Sequence, residues 1–175
     1  PVNGKYNSKV YDQIVFCEGS SNNNPWFKDL PVETTKGEVL TLHSTEFPTH
    51  ESLNRKCFLL PIGGNQFRLG ATYVWETDNL IPTQEGKAEL LEKLNYLSRE
   101  KYECVSQQVG IRPTSPDRRP IIGKHVEFNK LSIFNGLGTK GYMIGPLLAK
   151  EFVEYLTEGA ELDTEVKLER FLNKL

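Results

Sequence analysis

The most informative stretch of the chain is Gly110–Gly123, with the sequence GIRPTSPDRRPIIG. Arg112 stands between an apolar strand and a proline-punctuated turn, and the chain then returns to an apolar pair and a glycine. An arginine at the end of a strand, followed by a rigid loop, is well placed to face a cavity. There its planar guanidinium can hold a carboxylate or phosphate with two parallel hydrogen bonds. The spacing alone favours the alternative, a structural arginine that is ion-paired with its neighbours.

The composition around this stretch is that of a globular protein. The 175 residues fit one domain, or one large piece of a bigger protein, and 38% of them are hydrophobic. A net charge of -2 at pH 7 argues against a non-specific nucleic-acid binder, which needs a basic face. No apolar run approaches the roughly 20 residues that span a bilayer, so no membrane partner is expected.

The cysteines and the first residues of the chain bear on the protein's compartment and on whether it is part of a longer chain. Cys17, Cys57 and Cys104 are far apart and odd in number, which favours reduced thiols in a cytoplasmic protein. No pair of cysteines or histidines has the spacing of metal ligands, so no metal site is predicted. The chain begins at Pro1, its only methionine is Met143, and nothing resembles a signal peptide. We therefore expect it to be the C-terminal portion of a longer protein, with removal of a leader as the alternative.

Hydrophobic patterning predicts a mixture of strands and helices. Strands are predicted over 11–17, 35–43, 102–111 and 131–134, and a hairpin over 58–72 that turns at Gly63-Gly64-Asn65. Helices are predicted after an N-cap at Thr83, over 142–156 with a stop at Gly159, and over 164–175. In the first helix one face carries Leu90, Leu91, Leu94 and Leu97, which we expect to pack into the core.

A second informative stretch, Gly136–Gly141, matches the pattern G-x-G-x-x-G between a strand and a helix. Glycines let the backbone approach a ligand closely, and the following helix N-terminus favours an anion or an electron-rich group. It is not a dinucleotide fingerprint, because the next acidic residues, Glu151 and Glu154, fall within the helix and no second strand follows. A glycine turn that merely joins the two elements is the alternative.

Six blocks in chain order carry a resemblance to a known family. The blocks are Cys17–Gly19 after a strand, Lys36–Leu40, Phe58–Pro61, Leu69–Thr72, the Arg112 motif and Gly136–Gly141 with its helix. Together they resemble the C-terminal half of the D-amino acid oxidase family of FAD-dependent oxidoreductases, with glycine oxidase and its bacterial relatives as the nearest members. The resemblance extends from about Tyr11 to Leu156.

The resemblance implies an α+β fold. A mixed, mainly antiparallel sheet of the substrate-domain type is packed by helices, beside C-terminal elements of a FAD-binding domain whose N-terminal Rossmann part is absent. The implied segments are 1–30 as residual FAD-domain strand and loop, 31–113 as substrate-domain sheet and helix, 114–160 as the flavin-proximal segment, and 161–175 as a C-terminal helix.

The resemblance also implies site residues. Arg112 matches the arginine that binds the substrate carboxylate, and Gly19 ends a strand whose tip lies against FAD. Backbone groups of the late turn would face the flavin ring; these residues are Gly136, Gly138, Thr139, Lys140, Gly141 and Tyr142.

Three positions depart from the family's pattern. Phe58 stands where the family has a tyrosine that helps hold the substrate carboxylate, and Thr139 stands where it has an arginine. Both losses weaken the case for an α-amino acid while leaving amine oxidation open. Lys140 is either a replacement contact for the substrate anion or a solvated lysine. Glu18 replaces a small residue, and we expect its carboxylate to point away from the flavin.

The resemblance implies that the full-length protein oxidises a C–N bond of an amino acid or related amine by hydride transfer from the α-carbon to flavin N5. Its partner would be that small molecule, with no nucleic acid or membrane favoured. The 175 residues alone would bind FAD weakly, turn nothing over and self-associate through an apolar patch. Two alternatives are the FAD domain of a tRNA wobble-uridine modification enzyme and a non-catalytic module that binds a small acid or a partner protein.

Overall fold

A computed structural model describes residues 3–21, 24–75 and 79–174. The chain divides into two compact units, one made of Pro1–Thr34 with Arg112–Leu175 and the other of Thr35–Ile111. The strands are β1 (Lys5–Tyr6), β2 (Lys9–Val10), β3 (Ile14–Phe16), β4 (Glu33–His43), β5 (Leu53–Arg55), β6 (Cys57–Gly63), β7 (Gln66–Gly70), β8 (Val74–Trp75), β9 (Glu103–Thr114), β10 (Ile121–Lys124) and β11 (Leu131–Asn135). The α-helices are α1 (Gln84–Leu94) and α2 (Gly141–Glu158). The predicted α+β class with mainly antiparallel pairing is confirmed.

The Thr35–Ile111 unit is built on a six-stranded sheet in the order β5-β6-β7-β4-β8, with β9 paired to β4. The predicted hairpin is β6-β7, and its turn residues Gly63, Gly64 and Asn65 all have positive φ, as expected. One face of the sheet is apolar and packs against the leucine face of α1. That core contains Leu40, Leu42, Leu59, Phe67 and Leu69 from the strands and Leu90 and Leu94 from the helix.

Helix α1 begins at the predicted cap. Thr83 Oγ1 accepts a hydrogen bond from the Gly86 backbone N–H at 3.0 Å, which satisfies a donor that the helix itself leaves unpaired. Leu90 and Leu94 are buried, and Leu91 and Leu97 pack partly buried against the same core. The predicted core role of this leucine stripe is confirmed.

A buried carboxylate fixes the start of α1 to the sheet. Glu38 in β4 is 2% exposed, and its carboxylate accepts hydrogen bonds from the Thr83 N–H at 2.9 Å and the Thr83 hydroxyl at 2.7 Å. The amide of Gln107 donates to it at 2.5 Å, and Lys36 Nζ lies 3.3 Å away. Burial raises the pKa of Glu38, but these donors outweigh it and leave the pKa below its ordinary value. The carboxylate therefore stays ionised and neutralises the equally buried Lys36.

The other unit contains a three-stranded sheet in the order β10-β11-β3. Strand β11 pairs antiparallel with β10 and parallel with β3. The predicted strand over 11–17 is therefore longer than the observed one, and Cys17 is exposed just beyond its end. The core of this unit combines Phe27, Leu30, Ile121, Leu131, Ile133, Leu168 and Phe171.

The C-terminal segment differs from the prediction of an amphipathic α-helix over 164–175. It forms a 3-10 helix over Leu168–Lys174, and Leu175 lies outside the described residues. The Ile122 backbone N–H donates to the Val166 carbonyl at 2.9 Å, so the segment first runs along β10 like a strand. Leu168 and Phe171, three residues apart, then share one buried face, which suits the three-residue turn of a 3-10 helix.

Helix α2 matches its predicted bounds closely. It ends where Gly159 takes a left-handed conformation with φ of 73°, as expected for a C-terminal glycine. Within the described ranges, none of the helices has both the length and the apolar character needed to cross a membrane.

Candidate functional site

The end of β9 and the glycine-rich turn lie side by side in one unit. Thr114, the last residue of β9, forms an antiparallel bridge with Leu137. A side chain at Gly138 would lie 3.6 Å from Thr114 Oγ1, so the two backbones are close. Strand β9 extends through Arg112 and Pro113, which corrects the predicted strand end at 111. The half-buried Arg112 is thus held two residues from this bridge.

The glycine-rich turn has a more regular shape than the sequence predicts. Gly136 and Gly138 have φ of 70° and 56°, a left-handed conformation that favours glycine. A 3-10 turn over Gly138–Lys140 then leads directly into α2. A side chain at Gly136 would come within 3.2 Å of Ile121 Cγ1, so only glycine fits this close packing comfortably.

Asn135 connects the turn to the end of β3. Its side chain is 2% exposed, its Nδ2 donates to the Gly19 carbonyl at 2.9 Å, and its Oδ1 accepts from the Gly136 N–H at 2.9 Å. The structure therefore brings Gly19 and Gly136, both predicted to lie near FAD, to one amide. From the sequence Asn135 was assigned no role; the available signal was an asparagine between an apolar strand and a glycine.

We expect Asn135→Ala to weaken the unit by about 1 to 3 kcal/mol, because it leaves the Gly19 carbonyl and the Gly136 N–H without their side-chain partner. Urea unfolding followed by tryptophan fluorescence measures the change. Asn129→Ala, which removes an exposed asparagine side chain from the same unit, is the matched control. Equal losses of unfolding free energy in the two variants would show that the Asn135 amide contributes no more to stability than an exposed asparagine side chain does.

The start of α2 is open to a ligand. Tyr142 and Met143 in its first turn are exposed, and Lys140 at its N-cap makes no capping hydrogen bond with its side chain. The first N–H groups of a helix lack intrahelical partners and carry the positive end of its dipole. No acidic residue occurs between Gly136 and Lys150. A small-residue turn followed by an uncapped, positive helix end is suited to an anionic group or to an electron-rich atom such as a carbonyl oxygen.

The other residues singled out from the sequence lie in different surroundings. The Glu18 carboxylate accepts a hydrogen bond from Asn24 Nδ2 in the loop that follows β3. Thr139 and Lys140 are exposed in the 3-10 turn. Phe58 belongs to the Thr35–Ile111 unit, where its half-buried ring lies over Gly70; a side chain there would come within 2.8 Å of Phe58 Cζ. Arg112, Gly19 and the turn are thus brought together within one unit, and Phe58 is part of the other.

Hydrogen bonds and ion pairs of two carboxylates, those of Asp117 and Glu165, hold the loop after Arg112. The buried Ser115 hydroxyl lies 2.8 Å from Asp117 Oδ1, and Arg170 Nε donates to Asp117 Oδ2 at 2.8 Å. Arg119 forms an ion pair with Glu165. Partial burial raises the pKa of Asp117, but the hydrogen bonds from Arg170, Ser115 and Arg119 outweigh it and lower the pKa to about 2.

We expect Asp117→Asn to destabilise the protein at neutral pH and to have progressively less effect in acid. The folded pKa lies below the ordinary 3.8, so the stabilisation is present above that value and is lost as pH falls toward about 2. Thermal unfolding of both proteins between pH 7 and pH 2.5 should show converging midpoints. Asp12→Asn, at an exposed position, serves as control, and a gap that stays constant with pH would contradict the assignment.

Among the residues placed by the structure, no group of three or more histidine, cysteine, aspartate or glutamate side chains could hold a metal ion.

Comparison with known proteins gives consistent matches. The family model DAO, described as FAD dependent oxidoreductase, matches residues 2–155. The tRNA 5-methylaminomethyl-2-thiouridine biosynthesis bifunctional protein MnmC of Idiomarina loihiensis is 32% identical over 136 residues, which are 73% of this chain and 22% of that protein. Glycine oxidase of Geobacillus kaustophilus is 31% identical over 122 residues, which are 67% of this chain and 32% of that protein.

Solved structures agree with these matches. The crystal structure of glycine oxidase from Geobacillus kaustophilus superposes with a TM-score of 0.75 at 25% identity, covering 87% of this chain and 43% of that one. Iminodiacetate oxidase from Chelativorans sp. superposes with a TM-score of 0.73 at 24% identity, covering 92% and 46%, and shares the fold. The chain spans less than half the length of each of these relatives.

Proposed function

The chain belongs to the DAO family of FAD-dependent oxidoreductases, and from that premise we propose that its full-length protein oxidises a C–N bond of an amino acid or related amine. The observation that carries the proposal is the junction of the Arg112 strand with the glycine-rich turn through the Thr114–Leu137 bridge. An arginine for an anionic substrate and a turn suited to a flavin ring then belong to one unit. Binding and orientation are what such a site contributes, since the cofactor carries the redox chemistry.

We propose that the cofactor is held mainly by backbone groups. FAD, when bound, would accept a hydride from the carbon attached to nitrogen, and water would hydrolyse the resulting imine. The turn at Gly136 and Gly138 allows close approach, and Gly141 and Tyr142 present the open start of α2. At Gly19 a side chain would meet nothing within 4 Å, so the end of β3 also leaves room for a ligand.

The residues that we propose for the substrate are Arg112, Lys140 and Phe58, which the resemblance implies. Arg112 would hold the substrate carboxylate with two parallel hydrogen bonds and thereby orient the C–H bond that breaks. The exposed Lys140 in the adjacent turn is a candidate second contact for that anion. Phe58, without a hydroxyl, would supply apolar contact only. Glycine and iminodiacetate, the substrates in the names of two matched enzymes, are both amines that carry carboxylates.

A second candidate is a tRNA-modifying oxidoreductase, favoured by the 32% identity to the MnmC protein. The methylaminomethyl group in that protein's name also contains C–N bonds, so the chemical step would be of the same class. The two candidates differ in the molecule that carries the amine, which is a small molecule in the first and a tRNA in the second. The net charge of -2 favours the small molecule, since tRNA binding calls for a basic surface.

We also propose the segment roles expected from the sequence, with 1–30 as residual FAD-domain strand and loop, 31–113 as substrate-domain sheet and helix, and 114–160 as the flavin-proximal segment. The range 161–175 remains a separate C-terminal segment, with a 3-10 helix in place of the expected α-helix. The 175 residues by themselves would hold FAD weakly and be inactive, because no dinucleotide fingerprint occurs within them. The protein would act inside the cell, where reduced thiols persist.

Product analysis on the full-length protein tests the choice. The purified protein is incubated in air with glycine, N-substituted glycines and simple amines, or with aminomethylated tRNA, and the carbonyl product is trapped and quantified. Carbonyl release from small amines supports the first candidate, and release from tRNA alone supports the second. A colourless protein that binds small acids but releases no carbonyl from any of them would indicate the non-catalytic module.

A further inference from the structure

Asn135 joins the ends of two neighbouring strands beyond the point where their pairing stops. The parallel pairing of β3 with β11 runs as far as Phe16 and Ile133. Gly19 lies beyond this pairing, and Asn135 Nδ2 donates a hydrogen bond to its carbonyl at 2.9 Å. The amide therefore continues, through a side chain, the contact that the two backbones make within the sheet.

Both ends of the Asn135 amide have a backbone partner. Oδ1 accepts from the Gly136 N–H at 2.9 Å and Nδ2 donates to the Gly19 carbonyl, so the chemistry of the partners fixes which end is oxygen and which is nitrogen. The side chain is buried, and a hydrogen bond shielded from water is electrostatically stronger than one at the surface. Asn135 thus holds the end of β3 at a fixed distance from the glycine-rich turn.

The two segments differ in how firmly their other neighbours hold them. The turn is held tightly, because Leu137 forms a bridge with Thr114 and Gly136 packs closely against β10. At Gly19, by contrast, φ is 63° and a side chain would meet nothing within 4 Å. Because a glycine backbone has more accessible conformations than that of any other residue, the Gly19 end needs an external contact to keep one position. The Asn135 amide supplies such a contact.

We propose that Asn135 is a positioning residue for FAD: by fixing the Gly19 end of β3 against the glycine-rich turn, its amide sets the geometry of a cofactor site to which both segments contribute. The assignment of both segments to FAD rests on the proposed function. A ligand that is held from two sides binds more weakly when one side is free to move, because binding must then order that side. Asn135 removes this cost before the cofactor binds.

Equilibrium dialysis of the full-length holoprotein, which measures how tightly it retains FAD, tests the proposal without turnover. We expect Asn135→Ala to raise the Kd for FAD about tenfold or more. With FAD at saturation, the visible circular dichroism of the bound flavin should also change, since the ring would be held differently. The measurements are made at a temperature at which far-ultraviolet circular dichroism shows every variant to be folded.

Two further variants separate positioning from loss of stability. Asn135→Leu keeps a side chain of similar volume but can neither donate nor accept, and we expect it to raise the Kd as Asn135→Ala does. Leu168→Ala, which removes a buried side chain from the core of the same unit, is the matched control. It should lower the unfolding temperature but leave the Kd for FAD within twofold and the visible circular dichroism unchanged.

An unchanged Kd in both Asn135 variants would overturn the proposal, and so would a rise of the same size in Leu168→Ala. A full-length protein that retains FAD through Asn135 but oxidises no C–N bond would retain this inference and reject the proposed reaction. A protein that oxidises amines and whose Asn135 variants bind FAD as tightly as the wild type would do the reverse.

Discussion

Arg112→Ala in the full-length enzyme is expected to raise KM for a carboxylated amine roughly 30-fold to 900-fold. Removing one partner of a buried, charge-assisted hydrogen-bond pair costs about 2 to 4 kcal/mol, and each 1.4 kcal/mol is tenfold in binding. The change should fall mainly on KM, because the carboxylate is held equally in the ground state and the transition state. Steady-state kinetics with glycine or an N-substituted glycine measures it.

Two controls separate anchoring from structural damage. The corresponding simple amine, which lacks the carboxylate, should be oxidised by Arg112→Ala and wild type with similar kcat/KM. Arg99→Ala removes an exposed arginine from the other unit and should change neither substrate's KM. An unchanged KM for the carboxylated amine in Arg112→Ala would assign the arginine to structure instead.

Glu38→Ala is expected to lower the free energy of unfolding by about 3 to 5 kcal/mol at neutral pH. The substitution leaves Lys36 buried without its counter-charge and removes three hydrogen bonds from Thr83 and Gln107. Because the pKa of Glu38 is lowered in the folded state, its contribution is present above the ordinary 4.5 and is lost as pH falls through the folded value. Urea unfolding at pH 7 and in acid should therefore give a difference that shrinks in acid.

The paired substitution Lys36→Met with Glu38→Leu sharpens this test. Replacing both members of a buried ion pair by apolar residues is commonly far less costly than removing one, so the double variant should recover much of the lost stability. Glu51→Ala, at an exposed position, should have little effect. A Glu38→Ala protein as stable as Glu51→Ala would mean that the network does not hold α1 to the sheet.

Local chemistry made much of this fold predictable. Gly63-Gly64-Asn65 predicts the hairpin because these residue types readily take the positive φ that its turn requires. Thr83 predicts the start of α1 because its hydroxyl can accept a hydrogen bond from a backbone N–H that the helix leaves unpaired. The C-terminal segment was mispredicted as an α-helix because its apolar spacing suits either helix type. Contact with β10, far away in sequence, decided the outcome.

The candidate site was harder to predict, because its contacts also join residues that are far apart in the sequence. Gly19 and Gly136 could be singled out as residues near a ligand, but the Asn135 amide that joins them is an interaction across 116 residues. Glu38 is one of several polar residues in β4, and its partners come from the start of α1 and from β9.

Anaerobic reduction of the full-length protein by an amine is the most direct test of the proposed function. The yellow protein, mixed without oxygen with a carboxylated amine, should lose its flavin absorption, and the bleaching should slow when the carbon attached to nitrogen carries deuterium. That result would show that the C–H bond breaks in the step that reduces the flavin. A protein without flavin, or one whose flavin is bleached by dithionite but by no amine, would contradict the account.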